Sequence, residues 1–181
     1  MLNNIASMLG VGGGVATDYE SIATVTVGGG GAANATFTSI PSTYTHLQIR
    51  VLCGTGGSAS QDLRIRYNSD SGTNYTQHNL IGSGAAASAD GYTAQTYANA
   101  GKQGAALSTS PAVAVIDILD YANTSKYKTM RSLNGYDANG SGFIILSSSL
   151  WLNTAAISTI ELTPNSSTFS QYSSFALYGI K

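Results

Sequence analysis

The chain of 181 residues is long enough to bury a core, and its 43% apolar residues and net charge of −1 are typical of a folded protein. Only 9% of its residues are charged, against roughly 25% in an average protein, and no basic stripe marks a nucleic-acid binder. Because so few charges protect a monomer poorly against self-association, we expect much of the surface to face other subunits.

The N-terminal stretch predicts a short helical arm. Leu2, Ile5 and Leu9 recur at helical spacing with Met8 beside them, and glycines at 10 and 12–14 follow. Two helical turns are not stable alone in water, so the stretch either frays or becomes helical against a partner. The stretch lacks the basic start of a signal peptide. We therefore divide the chain into an arm and linker at 1–18 and a β-domain at 19–181.

Alternating apolar and polar residues then predict a series of strands. The clearest is 46–51, where Leu47, Ile49 and Val51 face one side while His46, Gln48 and Arg50 face the other. Similar patterns occupy 20–27, 35–40, 62–67 and 74–81.

Residues 82–110 interrupt this series. They are rich in Gly, Ala, Ser, Thr and Gln, and Tyr92 and Tyr97 are their large side chains. This composition predicts a surface loop with one or two short strands, and long loops are usually functional or mobile. We take Tyr92 and Tyr97 as candidate contacts with an external ligand, because tyrosine suits partly wet interfaces and stacks on sugar rings.

The pattern of strands resumes at Pro111. Residues 111–119 are apolar at nearly every position, which predicts a central strand covered on both faces. Further strands are predicted at 126–133, 143–152, 157–163 and 172–180, separated by turn residues. Nine or ten strands without an internal helix indicate an all-β, antiparallel β-sandwich that is jelly-roll-like, with a closed barrel as the second choice.

No catalytic constellation emerges from the candidate reactive residues. Cys53 has no histidine at a suggestive spacing, so we interpret it as a small apolar strand residue. His46 and His78 are interpreted as surface residues. Asp117 and Asp120 would face opposite sides of a strand, which makes them poor partners in acid–base chemistry. No apolar run approaches the ~20 residues of a membrane span.

Two turns have the oxygen-rich composition of calcium loops, at 68–72 and 137–142. Neither carries the bidentate glutamate of such a loop, and Asp, Asn and Gly are also ordinary turn residues. We therefore expect no metal and no cofactor.

Three separated segments carry a family resemblance: 39–50 (SIPSTYTHLQIR), 118–128 (ILDYANTSKYK) and 171–181 (QYSSFALYGIK). Together they resemble small β-rich virion proteins of tailed bacteriophages, over roughly residues 19–181. The family has no catalytic motif to transfer, and its members are described as head decoration or tail-associated proteins.

The resemblance implies a non-enzymatic structural protein located in the virion. We expect a capsid decoration, or cement, protein that forms a homo-oligomer, in particular a trimer, and contacts the major capsid protein through Leu2, Ile5, Met8 and Leu9. The alternative is a tail fibre or tailspike component that docks on tail proteins and binds a host surface glycan through Tyr92 and Tyr97. A polysaccharide hydrolase is a weaker third option. We expect no nucleic-acid and no membrane partner.

Overall fold

The computed structural model describes residues 18–57 and 60–181, and this part of the chain is entirely β-structure and connections, without helix. The predicted helical arm lies outside the described residues. The strands are β1 (Tyr19–Thr26), β2 (Ala35–Phe37), β3 (His46–Cys53), β4 (Gln61–Tyr67), β5 (Tyr75–Gly82), β6 (Ala87–Gln95), β7 (Ala98–Gln103), β8 (Ala112–Leu119), β9 (Lys128–Asp137), β10 (Gly142–Trp151), β11 (Ile160–Pro164) and β12 (Ser174–Ile180).

The strands form two sheets packed face to face. The large sheet has eight strands in the order β1-β12-β3-β8-β9-β10-β5-β6, and the small sheet has four in the order β2-β11-β4-β7. Every neighbouring pair of these strands is antiparallel. The predicted all-β antiparallel sandwich is thereby confirmed.

The connectivity is that of an elaborated jelly roll. From β2 to β5 the chain alternates between the small and the large sheet, and β5 and β6 then pair at one edge before the chain returns to the small sheet in β7. In a simple eight-stranded jelly roll, one strand lies between β3 and β5 in the large sheet. In this protein the three-stranded meander β8–β9–β10 takes the position of that strand, and β12 and β1 extend the large sheet beyond β3.

The core lies between the two sheets and follows the predicted alternation of β3. Leu47, Ile49 and Val51 are buried, whereas Gln48 and Arg50 lie on the opposite face. The small sheet contributes the buried aliphatic residues Leu63, Ile65, Ile160 and Leu162 to the same core. The aromatic rings of Trp151, Phe169 and Phe175 belong to it as well.

Two of the predictions about local structure are wrong. Residues 82–110 do contain the two strands allowed for, but they are not a loop excursion, because β6 pairs with β5 and β7 pairs with β4 over more than half of the segment. Their small polar residues still form strands because the sheet edges offer backbone partners. Residues 112–119 are covered on one face only: Ala114, Ile116 and Ile118 point into the core, while Val113 is 57% exposed.

Candidate functional site: an apolar outer face and a polar cleft

The outer face of the large sheet carries a continuous patch of exposed aliphatic side chains. Val115, Leu133, Leu146 and Leu80 stand side by side across four neighbouring strands, as the registers of β8, β9, β10 and β5 show. The next row adds Leu52, Val113 and Ile144. We call these seven residues the apolar face; all are at least 41% exposed, and Ile144 reaches 66%.

The apolar face arises because several aliphatic side chains point outward on these strands while polar side chains point into the sandwich, the reverse of the usual arrangement. In β9 and β10 the exposed positions include Leu133, Ile144 and Leu146, whereas the buried positions include Ser132, Asn134, Ser147 and Ser149. Because successive residues of a strand face opposite sides, a shift of one residue would bury the aliphatic set. The sequence therefore places its apolar side chains on the outside of this half of the sheet.

The polar interior behind the apolar face is held by specific hydrogen bonds. Asn134 accepts from the backbone N–H of Lys102 at 2.7 Å and donates to the carbonyl of Val113 at 3.0 Å. Ser132 donates to the carbonyl of Ala100 at 2.8 Å. Gly101 permits the close approach of Asn134, since a Cβ at this position would lie 2.3 Å from the asparagine side chain. These bonds fix the register that keeps the leucines outside.

A groove of about 920 Å³ runs over one end of the apolar face. It is lined by Val113, Leu133 and Ile144 and by the turn at 137–142. The rim of the face carries charges: Arg131 lies at one end of the exposed side of β9 and Asp137 at the other. Among the described residues neither side chain forms an ion pair with the other or with any third group.

A second concave feature opens at the edge of the sandwich, where β5 and β6 lie across from β4 and β7. We call it the polar cleft. It has a volume of about 300 Å³ and is lined by Asp62, Gln77, Asn79, Ile81, Asp90, Tyr92, Gln95, Tyr97, Asn99, Lys102 and Ile145. The candidate contact residues Tyr92 and Tyr97 thus line one cleft, although neither lies on the long loop predicted from the sequence.

The polar groups of the cleft are held in place by their neighbours. Asn79 donates to Asp90 at 2.6 Å and accepts from Ser147 at 2.7 Å. Gln77 accepts from the backbone N–H of Asn99 at 2.8 Å, and its side-chain amide has no hydrogen-bond acceptor among the described residues. Asp62 pairs with Lys102 at 3.4 Å. The sequence did not single out Gln77, Asn79 or Asp90, because only pairing of β5 with β6 brings them beside the tyrosines.

Cysteine, histidine and aspartate side chains with potential reactivity are held by burial, hydrogen bonds or ion pairs within the fold. Burial raises the pKa of the Cys53 thiol to about 12, so it packs as a small apolar residue as interpreted. Nδ1 of His46 accepts from the backbone N–H of Asp120 at 3.0 Å, and His78 is exposed four strands away on β5. Asp117 accepts from Gln48 at 2.8 Å, and Asp120 pairs with Lys126 at 2.5 Å.

The two calcium-like turns are closed by protein donors. The Asp70 carboxylate accepts from Trp151 Nε1 at 2.7 Å, from Asn74 and from the N–H of Gly72. Burial alone would raise the pKa of Asp70, but these hydrogen bonds outweigh it and hold the pKa below its usual value. Asp137 accepts from the N–H of Asn139 at 2.7 Å. Within 18–57 and 60–181, no three metal-ligating side chains come together.

Comparisons with known proteins do not assign a family. No protein-family model matches the sequence, and no curated protein does. Among solved structures, a candidate pore-forming toxin from Bacteroides vulgatus aligns over 81% of this chain and 54% of its own, about half its length, with 8% identity and a TM-score of 0.07. That likeness carries no argument. No helix in the described part of the chain is long and apolar enough to cross a membrane.

Proposed function

We propose that this protein is a non-enzymatic structural protein of a tailed-bacteriophage virion, a capsid decoration protein that binds the outside of the head and stabilises it. The observation that carries the proposal is the apolar face, because aliphatic residues displayed across five strands suit a subunit that works inside an assembly. The resemblance of residues 19–181 to small virion proteins supports the same function.

The apolar face is large enough to form the centre of a subunit contact. Five strands spaced about 4.8 Å apart, with two rows of side chains about 7 Å apart, cover a flat area on the order of 300 Å². A standard interface buries about 800 Å² on each partner, with an apolar centre and a polar rim. Arg50, Asp117 and Arg131 adjoin the face and would supply that rim.

We infer that a second copy of this chain covers the apolar face. If two copies pack face to face with β9 antiparallel to its counterpart, Arg131 of each copy meets Asp137 of the other. The contact then contains two equivalent ion pairs, one at each end of β9, between side chains that have no ion-pair partner among the described residues of one subunit. This contact is twofold and isologous. The trimer expected from the sequence would need a different contact.

The arm then supplies the attachment to the head. Its apolar residues Leu2, Ile5, Met8 and Leu9 stand in a segment without charged side chains, so they suit an apolar groove on the major capsid protein. Removing residues 1–14 is expected to leave the sandwich folded and to abolish capsid association. A second, full-length variant replaces Leu2, Ile5 and Leu9 by serine. It keeps the full chain length and removes only the apolar stripe of the arm.

The experiment counts copies of each variant on purified heads and measures thermal unfolding in parallel. Loss of occupancy by both variants with unchanged thermal unfolding would support an anchoring arm. Full occupancy by the truncated protein would contradict it.

A tail fibre or tailspike component that binds a host glycan is the second candidate function. The polar cleft favours it, because Tyr92 and Tyr97 line that cleft together with amide and carboxylate groups. Imaging of the virion separates the two candidates, since a decoration protein covers the whole head in many copies and a tail component occurs in few.

A further inference from the structure

We propose that the polar cleft is a binding site for a neutral saccharide of one or two sugar rings, whichever part of the virion carries the protein. The volume of the cleft, about 300 Å³, stands at the lower end of the roughly 300–1,000 Å³ found for small-molecule sites. The ligand is therefore small, or it is the terminal part of a longer glycan.

The composition of the lining matches the surface of a pyranose. A sugar presents hydroxyl groups around its ring and C–H groups on its faces, so its site needs donors, acceptors and an apolar surface. Tyr92 offers a ring that is 47% exposed, while Ile81 and Ile145 add aliphatic surface within the cleft. Asp90 offers a carboxylate oxygen beyond the one that Asn79 occupies.

Gln77 supplies the cleft with a hydrogen-bond donor whose position is fixed by the fold. Its side chain is only 3% exposed, and its carbonyl oxygen is fixed by the N–H of Asn99. The amide nitrogen therefore has a defined orientation, yet no acceptor among the described residues binds it. Because Gln77 Nε2 is not one of the fully buried atoms that lack a partner, it reaches the solvent of the cleft, where it can donate a hydrogen bond to a ligand.

The charges around the cleft disfavour an anionic ligand. Asp62 is compensated by Lys102 at 3.4 Å, and the guanidinium of Arg64 lies 4.0 Å from the centre of the Tyr97 ring. Arg64 is not part of the cleft lining, so Asp90 is the lining charge that no ion pair among the described residues compensates. An anionic ligand would meet this carboxylate without a free cationic partner in the lining, so the cleft disfavours it.

Titration of the full-length protein with methyl glycosides of glucose, galactose, mannose and N-acetylglucosamine, followed by NMR, tests the proposal. Saturable binding of at least one neutral glycoside is expected, and glucuronic acid is expected to bind more weakly. Tyr92→Ala should weaken the binding by about 10-fold or more, because it removes the exposed ring. Tyr127→Ala is the matched control, since Tyr127 is 50% exposed but lies outside the cleft.

Gln77→Glu supplies a second test, because it keeps the shape and the acceptor for Asn99 and removes the donor. Its fold is checked by thermal unfolding, and it is expected to lose binding by a similar factor. The proposal is overturned if no neutral glycoside binds saturably up to about 50 mM, a range that detects millimolar affinities. It is equally overturned if Tyr92→Ala binds as the wild type does.

Discussion

Replacing Leu133 and Ile144 together by threonine is expected to separate the subunits while the sandwich stays folded. The two residues are 60% and 66% exposed, so more than half of each remains to be buried by a second copy. Since full burial of such a side chain contributes about 1.5–3 kcal/mol, each substitution removes about 1–2 kcal/mol of association energy. A twofold contact doubles the loss to about 4–8 kcal/mol, which raises the Kd at least ~1,000-fold.

Sedimentation equilibrium over a range of concentrations measures this change, and thermal unfolding reports on the fold. Threonine suits a strand, so the unfolding of the separated subunit should change little. Leu152→Thr is the control, because Leu152 is 39% exposed and follows β10 outside the apolar face. A monomeric wild type would refute the reasoning, and so would a dimer or trimer that survives the double substitution.

Other predictions concern the turn at Asp70 and the aromatic residues beside it. Because the folded pKa of Asp70 lies below its unfolded value, its contribution to stability is present above about pH 4 and is lost as the pH falls through the folded pKa. Urea unfolding at pH 7 and pH 3 should therefore show a smaller loss for Asp70→Asn than for the wild type. Tyr67→Phe is expected to raise the free energy of unfolding by about 1 kcal/mol, because the buried hydroxyl has no hydrogen-bond partner among the described residues. Tyr75→Phe should lower it by about 1–2 kcal/mol, because that hydroxyl accepts from the Tyr67 N–H and donates to the Asp70 carbonyl. Changes of the same sign in the two variants would contradict this account.

The fold class could be predicted because strand periodicity is a local signal. In β3 and β12 each apolar residue of the alternation is buried, as the pattern of Leu47, Ile49, Phe175 and Leu177 indicated. The edge strands β6 and β7 gave no such signal. In β6 the exposed alanine, serine and glycine residues have no apolar face to reveal, and the strand exists because its backbone pairs with β5.

The direction of an alternation was harder to predict than its existence. Residues 143–152 read FIILSSSLWL, with apolar residues at both ends and three serines between them, so the sequence indicates a strand but does not tell which positions are buried. The usual rule buries the leucines, and β10 follows the opposite arrangement at Ile144 and Leu146. The sequence predicted only part of the polar cleft. Tyr92 is a candidate from its residue type alone, whereas its neighbours Gln77 and Asn79 lie on another strand and join it only through strand pairing.

The polar interior behind β5, β9 and β10 has a consequence for how stability is distributed within one subunit. Around β3, β8 and β12 the space between the sheets is filled by aliphatic and aromatic side chains. Behind β5, β9 and β10, Gln77, Asn134 and Ser147 share it with apolar residues such as Ile145 and Trp151. Local unfolding is easiest where little apolar surface is buried. The weaker half of the sandwich is therefore the half that carries the apolar face. A neighbouring subunit that covers this face buries further apolar surface on that half, so assembly adds local stability to a subunit that is already folded.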